Sequence, residues 1–212
     1  MKEAQLYTKL EEQNVRCGLC AHRCTIPNGS RGKCSVRENR DGTLYSLVYE
    51  RCIAENVDHV EKKPLFHFQP GSYSYSIATV GCNFSCTWCQ NCEISQLPRY
   101  KTNIPGQETP ASSIAENAIQ TGCRNIAYTY TEPTIFFEYA LDAAKPAHEK
   151  GLANIFVTNG FMTPEMLDAF YPYLDAANVD MKGFRDETYR QYAGARLQPV
   201  LDSLKKMKEQ GI

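Results

Sequence analysis

A chain of 212 residues suffices for one substantial domain with a small appendage, and folding at that length buries roughly 70% of the unfolded surface without needing disulfides. Its formal net charge is −1 and no basic run stands out, which argues against electrostatic nucleic-acid binding. No apolar stretch approaches the roughly 20 residues of a membrane span, and the charged start MKEAQLYTKLEEQNVRC lacks the apolar segment of a secretory signal. A cytoplasmic protein touching neither membrane nor nucleic acid is therefore expected. The ten cysteines then read as reduced thiols, and thiols clustered in a reduced compartment mean metal or redox chemistry.

In chain order, residues 1–70 are cysteine-rich and loop-rich. The segment CGLCAHRC supplies Cys17, Cys20 and Cys24, with Cys34 ten positions on. Four thiolates make a closed structural site, for which tetrahedral zinc and an auxiliary iron–sulfur cluster fit equally. A structural role is preferred, because small loop-rich segments need a staple. His22 could replace one thiolate, although a surface histidine is the plainer reading. SVRENRDGTLYSLVY (35–49) predicts two short strands around a turn at Asp41-Gly42. QPG (69–71) marks a boundary, with a core domain expected over 71–212.

Beyond the boundary the cadence changes. YSYSIATVG predicts a strand ending just before a cysteine loop. TPASSIAENAIQTG predicts a helix with Thr109 or Ser112 near its start and Gly122 past its end. RNIAYTY is a strand, and PTIFFEYALDAAKPAHEKG a helix with Pro133 in its first turn and a kink at Pro146. LANIFVT is a strand, TPEMLDAFYPYL a helix opened by Thr163 and Pro164, ANVDM a strand, and LQPVLDSLKKMKEQG a helix stopped by Gly211. The alternation implies parallel strands with crossover helices, in an open sheet or a barrel. Ligands bind beyond the C-terminal ends of such strands, so GCNFSC, TYTEP, TNG and DMK should share one side. Phe136, Phe137, Tyr139 and Leu141 read as helix core, His67 as a packed histidine, and KKMK as a solvated face.

Cys82, Cys86 and Cys89 are spaced C-x3-C-x2-C, with Cys92 following. Three thiolates can hold a [4Fe–4S] cube and leave one iron open to an exchangeable ligand. The competing reading is a closed zinc site or an ordinary electron-transfer cluster with Cys92 as fourth ligand, in a protein that catalyses nothing. The residues alone leave both open.

The spacing strongly resembles the radical S-adenosylmethionine (SAM) superfamily. Further segments, VEKKPLFHFQPGS, GCNFSCTWCQN, EISQ, YTYTEPTIFFEY, TNGF and VDMKGF, resemble the radical enzyme of the AmmeMemoRadiSam system, a homologue of pyruvate formate-lyase activating enzyme. The resemblance implies an α/β fold, a partial (β/α) barrel of the radical SAM type, with the small cysteine-rich N-terminal region attached. It implies a [4Fe–4S] cluster on Cys82, Cys86 and Cys89, with SAM on the open iron cleaved reductively to a 5′-deoxyadenosyl radical that abstracts hydrogen. Trp88 would pack by the adenine, and Glu132 would accept from the cofactor ammonium, its plainer reading being an acid at a helix N-terminus. Thr158 and Asn159 would bond ribose or carboxylate. Asp180 and Lys182 would serve a monovalent cation and the cofactor carboxylate, their plainer reading being a surface ion pair. A flavodoxin or ferredoxin would donate the electron. The target would be a protein partner, as in glycyl-radical activation, or a substrate tied to the system's two companion proteins. Two departures stand out: Cys92 sits where an aromatic is more usual, and His59 replaces a proline. Relatives of this family continue past EQGI with further strand–helix units, so a truncated chain is expected.

Overall fold

A computed structural model describes residues 1–212. The N-terminal strands are short: β1 (Lys2–Glu3), β2 (Tyr7–Lys9), β3 (Val15–Cys17), β4 (Thr25–Ile26), β5 (Arg37–Arg40) and β6 (Thr43–Ser46). They form two antiparallel sheets, ordered β1-β6-β5 and β2-β3-β4. The predicted hairpin is present. Arg40 pairs with Thr43, leaving Asp41 and Gly42 as a two-residue turn with φ of 52° and 78°. Positive φ at both central positions gives the turn whose twist matches its strands.

After β7 (Arg51–Cys52) come β8 (Ala54–His59), β9 (Tyr73–Ala78), β10 (Gln107–Glu108), β11 (Asn125–Tyr128), β12 (Ala153–Thr158) and β13 (Ala176–Val179). β7 and β10 pair as a small antiparallel ribbon. The main sheet has five strands in the order β13-β12-β11-β9-β8. β9, β11, β12 and β13 run parallel, as the alternation predicts. β8 runs antiparallel to β9, because the chain returns through residues 60–72 without a crossover helix. The sheet is therefore mixed and open, and closes no barrel. It also reaches back before residue 71, since β8 belongs to it.

The helices are α1 (Cys92–Ser95), α2 (Leu97–Tyr100), α3 (Ala111–Gln120), α4 (Phe137–Glu149), α5 (Pro164–Phe170), α6 (Asp186–Thr188) and α7 (Gln198–Glu209). Neither Thr109 nor Ser112 caps α3. Pro110 takes the N-cap position without a side-chain bond, and the Glu50 carboxylate accepts from Ala111 N at 2.9 Å instead. Thr163 does cap α5, accepting from Met166 N at 3.2 Å. Pro133 opens a 3-10 turn that leads into α4, and α4 runs on through Pro146.

One sheet face packs Ile126, Tyr128 and Phe156 against Ile114, Phe137, Ala144 and Phe170. The opposite face carries small residues, with Ala127, Ile155 and Ala176 covered by Val60, Leu65 and Phe68. Phe136, Phe137, Tyr139 and Leu141 are buried, as expected of a core stripe. His67 is exposed rather than packed; its neighbour Phe68 turns toward the sheet in its place.

Candidate functional site

The four parallel strands end on one side, and a cavity of about 490 Å³ opens there. Its wall includes Cys82, Cys86 and Cys89, residues 129–131 after β11, Thr158 and Asn159 after β12, and Asp180 and Lys182 after β13. The shared side predicted from the alternation is thus the side of the cavity.

The cysteine loop leaves β9 through Gly81, whose φ is +100° and whose Cβ, if present, would stand 2.7 Å from Val36 Cγ1. The loop backbone is held by its surroundings. Ala193 O accepts from Ser85 N at 2.9 Å, and Tyr192 O from Thr87 N at 3.0 Å. The Arg99 guanidinium donates to Cys82 O and Phe84 O at 3.2 and 3.0 Å. His22 Nε2 donates to Asn83 O at 2.8 Å and its ring lies on Phe161, so it is not the free surface histidine expected.

Cys82 is buried and accepts from Phe84 N at 3.4 Å; Cys89 Sγ lies 3.3 Å from Ser95 Oγ. Burial, and then the Glu132 charge, push the Cys82 thiol well up. Burial also raises Cys86, against the pull of the Lys182 ammonium. A bound cation would favour the thiolate form of Cys82 and Cys86. No three His, Cys, Asp or Glu side chains converge tightly enough to grip a single ion. Three thiols on one cavity wall can each attach to a different iron of a polynuclear cluster. The buried Asn83 Nδ2, beside Cys82, has no partner and is a donor available to cluster sulfur. Cys92 is exposed, opens α1, and does not line the cavity.

Glu132 faces inward. It is 0% exposed and is absent from the cavity wall. Its Oε1 accepts from Thr134 N, Thr134 Oγ1 and Thr158 Oγ1 at 3.1, 2.6 and 2.7 Å, and its Oε2 from Asn159 N at 2.8 Å. Glu132 thus stands at the N-terminus of a 3-10 turn and also clamps the end of β12. Two residues earlier, Tyr130 takes a left-handed φ of +62°. Burial raises the Glu132 pKa against the pull of these four donors.

Asn159 is also committed inward. Its Nδ2 donates to Asn83 Oδ1 at 2.7 Å and its Oδ1 accepts from Phe161 N at 3.0 Å. Asp180 and Lys182 form an ion pair at 3.0 Å on the cavity rim. Trp88 is 49% exposed on the same wall, beside Tyr192, and is no core filler. The sequence reading passed over Asn91, whose Nδ2 donates to Tyr130 O at 2.7 Å, and the cluster in which Asp58 accepts from Tyr130 Oη at 2.8 Å and from Lys63 Nζ at 2.9 Å. All of these but Asp58 sit inside the family-like segments, yet only their long-range partners mark them.

Cys17, Cys20, Cys24 and Cys34 are brought together around a separate small cavity.

Residues 76–212 match the model of the Radical SAM superfamily. The whole chain is 43% identical to the uncharacterized protein MJ0808 of Methanocaldococcus jannaschii, of which it covers 62%. Over 192 residues, 87% of this chain, it is 25% identical to the uncharacterized protein MJ0674 of the same organism and covers 49% of it. The chain thus spans about half to three-fifths of the length of these curated relatives. Among solved structures, one of TYW1 with a lysine-pyruvate adduct bound aligns with TM-score 0.44 and 14% identity, over 64% of this chain and 52% of that one. The chain belongs to the radical SAM superfamily, which implies a [4Fe–4S] cluster and SAM. No helix is long and apolar enough to cross a membrane.

Proposed function

Starting from that membership, we propose that the chain is a radical SAM enzyme with its cluster on Cys82, Cys86 and Cys89 and SAM in the adjoining cavity. One observation carries the reading: these three thiols share a wall with the ends of three further parallel strands, while Cys92 stands off it. When bound, cluster and SAM supply a 5′-deoxyadenosyl radical by one-electron cleavage of a carbon–sulfur bond. The chain's residues position and shield that chemistry. Arg99 and the 192–193 backbone fix the loop. The Lys182 ammonium, paired with Asp180, is placed to meet a carboxylate, and Asp180 could also hold a monovalent cation. Trp88 offers a face to the adenine. Thr158 and Asn159 border the cofactor, with Glu132 fixing them rather than touching it.

At finer grain, we read the chain as the radical component of an AmmeMemoRadiSam-type system. It would act in the cytoplasm on a protein partner, in the manner of a glycyl-radical activase, or with companion proteins, and would be reduced by a flavodoxin or ferredoxin. The test is anaerobic reconstitution followed by dithionite and SAM. Release of 5′-deoxyadenosine is expected. An iron signal indifferent to SAM, with no nucleoside released, would leave only the electron-carrier alternative, and Cys92→Ala would then lose iron.

A further inference from the structure

We propose that Cys17, Cys20, Cys24 and Cys34 form a closed four-thiolate zinc site beneath the cysteine loop of the main sheet. The backbone gathers them. Pairing of β3 with β4 sets Cys17 N on Cys24 O at 2.9 Å, and a turn closes Arg23 N on Cys20 O at 3.0 Å. Cys34 enters through a second turn, with Ser35 N on Gly32 O at 2.8 Å and Gly32 N on Arg37 O at 2.9 Å.

All four line one cavity of about 20 Å³. That space is of the order of one or two water-sized spheres, each needing roughly 10–15 Å³. It suits one ion rather than a four-iron cube. An all-sulfur donor set of four suits tetrahedral zinc, and the small cavity favours that single ion over a cluster.

An independent observation points to the ligand. Arg37, on the same wall, is 1% exposed. Its Nη1 and Nη2 donate to Glu138 at 2.8 and 2.7 Å, but its Nε has no partner. A buried guanidinium N–H without an acceptor is costly, and a neutral thiol is a poor acceptor. A zinc-bound thiolate supplies the missing acceptor, in the way outer-shell donors support metal ligands. As placed, the sulfurs do not yet close on one point. The same holds for Cys82, Cys86 and Cys89, so the ligand-free spacing does not decide the matter. Zinc binding would have to turn the four side chains onto one point, and each thiol gives its proton to solvent as it binds.

The position gives the ion a purpose. Leu19 O accepts from Thr163 N at 3.3 Å and Gly18 O from Thr163 Oγ1 at 2.7 Å, so the start of α5 rests on this segment. His22 holds Asn83 O from the same segment. A staple here fixes the floor on which the cysteine loop sits, whatever chemistry that loop performs.

The test uses the full chain, purified without added iron, beside a variant carrying Cys82→Ala, Cys86→Ala and Cys89→Ala. Mass spectrometry of metals should find about one zinc per chain in both, as a closed structural site requires. Cys20→Ser and Cys34→Ser should each lose most of it. Zinc-edge absorption of the unaltered chain should show four sulfurs at about 2.3 Å, which keeps the proposal testable if those serine variants do not fold. Absence of zinc, iron retained in the triple variant, or nitrogen and oxygen in the zinc shell would each overturn it.

Discussion

At the scale of single residues, the decisive side chain is Glu132. A carboxylate reaching into the cavity would bind SAM directly; this one spends both oxygens on Thr134, Thr158 and Asn159. Glu132→Gln replaces one acceptor by an amide donor facing donors, an unsatisfied buried contact costing about 1–3 kcal/mol. We expect the melting temperature and SAM affinity to fall together. Unchanged melting with weakened SAM binding would instead mean direct contact. Cys92 gives the complementary test. Because it is exposed and off the cavity wall, Cys92→Ala should keep its iron after reconstitution, whereas Cys82→Ala, Cys86→Ala or Cys89→Ala should not. Iron counting on the four variants separates an open cluster from one saturated by protein thiols.

Between elements, a buried ion pair joins β5 to α4. Burial alone would raise the Glu138 carboxyl, but the charge and hydrogen bonds of Arg37 hold it below its ordinary value of 4.5. An acid with a depressed folded pKa contributes stability that is complete above its unfolded pKa. That contribution disappears as pH falls through the lower folded value. Urea midpoints should therefore decline below about pH 4.5, with Asp58, held down to about 2, adding to the slope. Arg37→Met alone strands a buried carboxylate and should cost about 3–5 kcal/mol. Arg37→Met with Glu138→Leu should recover most of that loss and flatten Glu138's share of the pH slope. A double variant no better than the single one would sink the argument. Gly81→Ala tests a second contact: at φ +100° and 2.7 Å from Val36 Cγ1, a methyl group should destabilise by about 1–3 kcal/mol. The parallel strands, the hairpin at Asp41-Gly42 and the Thr163 cap were legible because alternation, turn chemistry and capping act within a few residues. What escaped depends on distant partners. Glu50 caps α3 from 61 positions away, and Glu132 meets Asn159 across 27. The antiparallel course of β8 has no local signature either.

For the whole molecule, composition and packing divide the chain differently. The change at residue 71 is one of cysteine and turn content. The apolar core ignores it: Val15, Leu19, Ile26, Val36 and Leu44 belong to the same buried cluster as Ile126, Tyr128 and Phe156. β8 crosses the boundary to pair along the full length of β9, with Ala54 opposite Ala78 and His59 opposite Tyr73. Arg37 on one side neutralises Glu138 on the other, and Val36 fills the space that Gly81 leaves open. Two pieces that share a core, a sheet edge and a buried ion pair cannot open independently, so unfolding should be one cooperative event. Native-state hydrogen exchange provides the measurement. Amides of β5 and β6 should lose protection with the same urea dependence as those of β11 and β12. Residues 71–212 expressed alone would lack β8, leave Glu138 buried without its cation, and expose the apolar face that Val15 to Leu44 now cover. Such a fragment should show no cooperative transition. A sharp urea transition in the fragment, with a slope proper to its length, would mean that the N-terminal region is an accessory and that the compositional boundary is a physical one.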